Sequence, residues 1–412
     1  MQAKKHLIVV GGPTASGKTS TAIALARHFD TAIISADSRQ FFREMSIGTA
    51  KPSSQELAQA PHYFIDSHSV TEEYSVGTYE REVLALLRKL YQEKDVLILA
   101  GGSGLYINAL CQGLDEFPDV PVEIKQFYET KWEQEGLEYL QEELRQVDSA
   151  YAKTVDLQNP HRLIRALSVC RASGRPYSSF RKKGQHDRFF TPTYIQMDWD
   201  RDQLYERINQ RVELMVKAGL EDEVRSLLEY KDNAALATVG YQEWLPYFDG
   251  EIDRISVIDL IKRNSRRYAK RQLTWMRRDG FWRHFAPKNQ EAILTHLDWR
   301  IHSNYELISR RQGEAEVLTY EQGNQPVAQI SIEKTKRFIL ARVQILRDEK
   351  ALEDLLDEFL CRVGKWSPLL IIPAEVELST HKWGFVDINI QYELPKPVLD
   401  RLAPGDSLLQ RK

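Results

Sequence analysis

The 412-residue sequence has no run of some 18 apolar residues, the length a helix needs to cross a bilayer, so no membrane span is expected. Its three cysteines, Cys111, Cys170 and Cys361, lack metal-ligand or redox spacing. They are expected to be inert core thiols in a reducing compartment, which points to the cytoplasm. The chain runs into an apolar stretch straight after Lys4 and Lys5, so no signal peptide is expected. The net charge is −3, which excludes a global basic field; a nucleic-acid partner would have to meet a local patch. Repeats and low-complexity segments are absent as well, and a monomer is the default. One further absence is local. A hydrolysing ATPase carries an acid after its second buried strand, to order magnesium and water. After the apolar run Asp95–Ala100 that place is taken by Gly101, Gly102, Ser103 and Gly104. This weakens the motor and ATPase readings, and the glycines are expected to let a large ligand approach the backbone.

What is present begins with Gly12-Pro13-Thr14-Ala15-Ser16-Gly17-Lys18-Thr19, a complete phosphate-loop pattern. The apolar run Leu7–Val10 before it predicts a buried strand, and Ser20–Phe29 after it a helix. A Gly-rich turn between strand and helix aims backbone N–H groups at an anion. Lys18 adds a positive charge and Thr19 a hydroxyl for a magnesium ion. The pattern implies a bound diphosphate or triphosphate and, by itself, suggests an ATP site. A second strand, Thr31–Ala36, ends at Asp37-Ser38-Arg39-Gln40. Ligands gather at the C-terminal ends of parallel strands, so Asp37 should lie near the loop, as a magnesium ligand or general base. A plain turn or N-cap aspartate is the bland alternative.

Further along, Pro61–Asp66 predicts a third strand or turn in which His62 is structural, and residues 76–93 predict a helix. From Pro118 to about Val147 the chain becomes charged and aromatic with helical periodicity, which predicts a helical insertion. Asn159-Pro160-His161-Arg162-Leu163-Ile164-Arg165 opens a helix with Pro160 in its first turn and Arg162 and Arg165 on one face. The basic loop Arg181, Lys182, Lys183, His186, Arg188 is either a solvated surface or a phosphate-backbone contact. Tyr194–Met197 predicts a strand; the following helix carries Arg207 and Arg211 at i, i+4, suited to clamping a phosphate. Val239–Trp244 is expected to open another helical stretch. Residues 262–283 hold the densest basic run, with Arg266, Arg267, Lys270 and Arg271 interleaved with Tyr268, Trp275, Phe281 and Trp282 and no acid before Asp279. Basic and aromatic residues together suit RNA. The tail from about Ser303 predicts a small α+β unit, with strands at Val327–Ile332, Phe338–Leu346, Leu369–Ile372 and Phe385–Tyr392 and a helix at Ala351–Val363.

Taken together, these stretches resemble the tRNA dimethylallyltransferase (IPP transferase) family. The resemblance rests on residues 12–19, Asp37-Ser38-Arg39-Gln40, Gly48-Thr49-Ala50-Lys51-Pro52, Gly101-Gly102-Ser103-Gly104-Leu105-Tyr106, Asn159-Pro160-His161-Arg162 with Arg165-Ala166-Leu167, and Tyr268-Ala269-Lys270-Arg271-Gln272-Leu273-Thr274-Trp275. They occur in the family's order over roughly residues 5–300 and leave the tail uncovered. Where Ser103 stands the family often has threonine; serine keeps the hydroxyl. The zinc finger of some eukaryotic relatives is missing.

The resemblance implies an α/β fold, a phosphate-loop parallel sheet with flanking helices. Its core would cover 1–117 and 191–302, the latter with a basic tRNA-facing helix, with a helical insertion contacting tRNA at 118–190 and an extension of unknown role at 303–412. It implies transfer of a dimethylallyl group from dimethylallyl diphosphate to N6 of the adenosine beside the anticodon. The implied roles are these: residues 12–19 with Arg207 and Arg211 on the diphosphate, Lys18, Thr19 and Arg211 assisting the chemistry, Mg2+ on Thr19, and Asp37 as base. Asp37, Ser38, Arg39, Gln40, Ser103, His161, Arg162, Leu163, Ile164, Arg165, Arg266, Arg267, Lys270 and Arg271 would meet the anticodon stem-loop. Two other classes compete with this assignment. A small-molecule or nucleotide kinase on the same fold would put ATP in the loop, but the basic–aromatic stretch and the lack of an Arg-rich lid argue against it. An RNA-binding module with a vestigial loop is opposed by intact Lys18, Thr19 and Asp37.

Overall fold

A computed structural model describes residues 4–181, 187–279, 282–287 and 289–302, and beyond them 306–312, 315–322, 325–334, 339–345, 355–356, 369–372, 385–387 and 407–411. Lys182, Lys183, His186, Phe281, Cys361 and most of the helix expected at Ala351–Val363 lie outside the described residues; Leu355 and Leu356 are helical and buried. The chain forms two compact units, one of residues 1–107 and 189–412 and one of Asn108–Arg188.

The first unit is built on β1 (His6–Gly11), α1 (Lys18–His28), β2 (Ile33–Ser35), α2 (Ser54–Leu57), β3 (His62–Tyr63), α3 (Val76–Leu90) and β4 (Val96–Gly101). Within α4 (Gly104–Gln112) the chain enters the second unit, at Asn108. The first unit resumes with β5 (Thr191–Met197), α8 (Arg201–Lys217), α9 (Leu220–Ser226), α10 (Leu245–Phe248), α11 (Arg254–Asp279), β6 (Arg283–Phe285) and α12 (Gln290–His302). Six strands make one parallel sheet in the order β3-β2-β4-β1-β5-β6. All six residues of β1 are buried, which is why its sequence is a continuous apolar run rather than an alternation. Ile8 and Val10 of β1, Ile98 of β4 and Ile195 of β5 share a core with Ala22, Ile23, Leu25 and Ala26 of α1 and Ile293 and Leu297 of α12. In a parallel sheet the strands' C-terminal ends open on one edge, and the loops after β1, β2 and β4 meet there.

In the second unit, α5 (Val122–Val147, interrupted at Gly136 with φ 82), α6 (Ser149–Ala152) and α7 (Pro160–Ser173) close around Tyr128, Leu140, Leu144, Leu163, Ile164 and Leu167. Asn159 caps α7 by accepting from the Arg162 N–H, with Pro160 in the first turn.

Two expectations change. Val239–Trp244 does open a helical stretch, but only from Gln242, where a 3-10 turn (Gln242–Trp244) runs into α10; the left-handed Gly240 (φ 98) keeps the residues before it out of a right-handed helix. The basic helix begins eight residues earlier than the basic run, since the apolar positions Val257 and Ile261 already bury its first turns. The tail carries a seven-stranded sheet of its own, β7 (Glu306–Gln312), β8 (Ala315–Gln322), β9 (Gln325–Lys334), β10 (Ile339–Ile345), β11 (Leu369–Ile372), β12 (Phe385–Asp387) and β13 (Ser407–Arg411). Its order is β12-β13-β11-β10-β9-β8-β7, and every described pairing is antiparallel except β10 with β11.

Candidate active site

The phosphate loop leaves β1 at Gly11 and ends where Lys18 opens α1. Its backbone alternates hand, with Ala15 at φ 63 and Gly17 at φ 89; such a succession turns amides toward one point. A left-handed alanine is strained, and the surroundings hold it. Trp199 Nε1 donates to Ser16 O at 2.9 Å, and Arg207 Nε donates to Ala15 O at 2.9 Å with its guanidinium over the Trp199 ring. Arg211 Nη1 donates to Thr14 Oγ1 at 3.0 Å, and Lys18 Nζ folds back onto Pro13 O at 2.9 Å. Arg207 and Arg211 thus reach the loop side by side, as their i, i+4 spacing implies.

Asp37 follows β2, accepting from the Arg39 N–H at 3.1 Å while its own N–H donates to Ser35 Oγ. Lys18, Thr19, Asp37, Arg39, Arg211 and Tyr268 line one cavity of about 580 Å³, together with the loop Gly48–Pro52. The charges there act on each other. Burial pulls Lys18 down to about 8, the Asp37 carboxylate pushes it back up, and Arg211 adds to the fall. Arg211 is lowered by burial, opposed by Asp37. Burial first and then the Asp37 charge push the Tyr268 phenol up to about 12. Lys18 and Arg211 therefore share one cavity with the Asp37 carboxylate, an arrangement suited to an anionic ligand and a proton transfer beside it.

The glycines after β4 serve a different purpose from the one expected. A side chain at Gly101 would meet Ala36 O at 2.3 Å, and one at Gly102 would meet Gln272 Nε2 at 2.3 Å. These glycines admit the protein's own atoms rather than a ligand. Ser103 is buried; its Oγ accepts from the Ser38 N–H at 3.0 Å and donates to Ser38 Oγ. The Gln40 amide donates to Thr49 O and Ala50 O and accepts from Ser35 Oγ, so it fixes the cavity's rim.

In the second unit, His161, Arg162 and Arg165 of α7 are exposed, whereas Leu163 and Ile164 are buried in its core. Their side chains hold the helix in place and offer no outward contact. On α11, Arg267, Lys270 and Arg271 are exposed. Arg266 is tied to Asn209 Oδ1 at 2.6 Å and Lys262 to Glu213 at 2.7 Å, so part of the basic run secures α11 to α8.

Three residues that carry the site were given no role by the sequence. Gln272, buried on α11, accepts from the Thr14 N–H and donates to Gly102 O, each at 3.0 Å. Glu223 on α9 accepts from the N–H groups of Ser46, Ile47 and Gly48 and from the Tyr241 hydroxyl, holding the loop that walls the cavity. Trp199 supports Ser16. Gln272 lay inside the Tyr268–Trp275 stretch that carries the resemblance, but only its polarity on a buried face of α11 could have singled it out.

Among the described residues no cluster of three or more His, Cys, Asp or Glu side chains is placed to hold a metal, and no helix is long and apolar enough to cross a membrane. The profile of the IPP transferase family matches residues 40–279. A tRNA dimethylallyltransferase of Christiangramia forsetii is 46% identical over 299 residues, 72% of this chain and 99% of that protein. One of Flavobacterium johnsoniae is 48% identical over 297 residues, 70% of this chain and 96% of that protein. Among solved structures, the tRNA isopentenylpyrophosphate transferase of Bacillus halodurans is similar with a TM-score of 0.55 at 32% identity, covering 73% of this chain and 98% of that one. A eukaryotic dimethylallyltransferase acting on tRNA shares the fold over 98% of this chain and 92% of its own, with a TM-score of 0.65 at 20% identity.

Proposed function

This chain belongs to the IPP transferase family and is a prenyl-transferring enzyme acting on tRNA; from that premise we propose how its cavity carries out the transfer. The donor is dimethylallyl diphosphate, with its diphosphate on the loop of residues 12–19. The acceptor is N6 of the adenosine beside the anticodon. The bond from the allylic carbon to the diphosphate oxygen breaks, a bond from N6 to that carbon forms, and pyrophosphate leaves. Asp37 takes the proton that N6 gives up. The observation that carries this reading is that Lys18, Arg211 and Asp37 line one cavity, the two cations beside the loop and each acting on the Asp37 carboxylate.

Each group has a defined task. The loop amides at the start of α1 lack partners within the helix and bind diphosphate oxygens. Lys18 and Arg211 stabilise the charge that grows on the leaving group, where low polarity strengthens their effect. N6 is a weak nucleophile because its lone pair is delocalised into the ring, so a base accepting its proton contributes about 10²–10⁴-fold. Mg2+ would be held beside the loop by the Thr19 hydroxyl and diphosphate oxygens, leaving the Asp37 carboxylate for the proton. When bound, the ion neutralises diphosphate charge. The base must leave its stack to enter, at a cost of a few kcal/mol. Arg267, Lys270 and Arg271 on α11, and His161, Arg162 and Arg165 on α7, offer exposed basic contacts for the anticodon stem-loop.

The test is incorporation of label from dimethylallyl diphosphate into unmodified tRNA with Mg2+. ATP-dependent phosphorylation of a small acceptor without labelled tRNA would sink the proposal.

A further inference from the structure

We propose that Gln272 is a positioning residue for the diphosphate: it sets the phosphate loop by holding the Thr14 amide against the turn that follows β4. The inference rests on the reading of that loop as the diphosphate holder. Gln272 is 6% exposed, and its single planar amide faces two partners at once, accepting from Thr14 N–H and donating to Gly102 O, each at 3.0 Å. Thr14 is gripped a second time through its hydroxyl by Arg211. The first half of the loop is therefore fixed at both main chain and side chain by residues from two helices, α11 and α8. An anion site made of backbone amides works only while those amides are already aimed. Glutamine alone among side chains of this length carries one acceptor and two donors on such a head; glutamate lacks the donor and methionine lacks both.

The fold does not need this contact. β1 is paired along all six residues with β4 on one side and β5 on the other. α11 is anchored independently, by Ala269 against Leu204 and Ile208 and by Val257 and Ile261 in a second cluster. Losing Gln272 should loosen the loop and leave the sheet intact. Gly102 gives an independent handle, because a Cβ there would meet Gln272 Nε2 at 2.3 Å and drive the amide away.

The experiment titrates magnesium pyrophosphate into the full chain by calorimetry, as wild type, Gln272→Ala, Gly102→Ala and the double variant. Each single substitution should raise the Kd about tenfold, the order of the cost of fixing one loop residue's backbone on binding. In the Gln272→Ala background, Gly102→Ala should add nothing, since the group it would displace is gone. The KM for dimethylallyl diphosphate should rise in parallel while that for tRNA stays put, a split that general loosening of the fold would not produce. Gln272→Asn, which keeps both groups on a shorter arm, must also lose pyrophosphate affinity and covers the case in which the alanine variant does not fold. A Gln272→Ala Kd within about twofold of wild type, or single losses that multiply in the double variant, would overturn the inference. Wild type that binds no pyrophosphate sinks the reading of the loop along with it.

Discussion

Lys18 sits where its charge is most useful and hardest to keep. Burial has brought its ammonium down to about 8, so in the free protein it is charged at neutral pH and discharges just above it. The sign follows directly. Below about 8 the cation is present and the loop attracts diphosphate; as pH rises through that value the attraction is lost. Magnesium pyrophosphate affinity should therefore fall on the alkaline side with a midpoint near 8. Lys18→Arg, charged throughout, should remove that limb, and it controls for titration of pyrophosphate itself. A limb that persists unchanged in the arginine variant would place the titrating group elsewhere. Asp37 gives the complementary test. Asp37→Asn keeps the shape and the acceptor for the Arg39 N–H but cannot take a proton, so turnover should drop by about 10²–10⁴ with tRNA affinity within about twofold. Normal turnover in single-turnover assays would remove Asp37 from the chemistry.

Among the elements, α11 is the one whose composition and placement must be separated. Its basic run does two jobs. Arg266 and Lys262 bind Asn209 and Glu213 on α8, while Arg267, Lys270 and Arg271 are exposed. Replacing each exposed residue with alanine should weaken anticodon stem-loop binding and lower the slope of log Kd against log salt by about one for every phosphate left without its cation. Arg266→Ala should lower the unfolding temperature and leave that slope alone; a reduced slope would move Arg266 into the RNA contact. The same element shows what the sequence could disclose. A strand buried on both faces writes itself as an apolar run, so β1 and β4 were legible, and so were the loop between β1 and α1 and the paired arginines of α8. β7, β8 and β13 were not, because runs such as Glu306-Leu307-Ile308-Ser309-Arg310-Arg311-Gln312 are half or more polar and show no apolar run. Gln272 stayed hidden for another reason. It meets Thr14 across 258 residues of chain, and Glu223 meets Gly48 across 175, so neither leaves a local pattern.

At the scale of the whole molecule, the relatives divide the chain. The Christiangramia forsetii protein is matched over 99% of its length by 72% of this chain, so about 300 residues suffice for that member of the family and the tail lies outside the match. The strand pairing agrees with that division. The six parallel strands end with β6 at Phe285, and among the described residues β7 to β13 pair with one another and not with that sheet. A cut after His302 would break no hydrogen bond of the six-stranded sheet and would leave α12, whose Ile293 and Leu297 complete the core under β1. The chain ended at 302 should therefore fold and label tRNA from dimethylallyl diphosphate with kcat/KM within about threefold of the full chain, less than about 1 kcal/mol in the barrier. Thermal unfolding and single-turnover labelling on the two chains decide it. A truncated chain that folds normally but loses tRNA affinity more than about tenfold, with pyrophosphate affinity unchanged, would make the seven-stranded sheet part of the RNA-binding surface. Loss of pyrophosphate affinity as well would mean that the tail supports the phosphate loop, and the two sheets would then be one cooperative body.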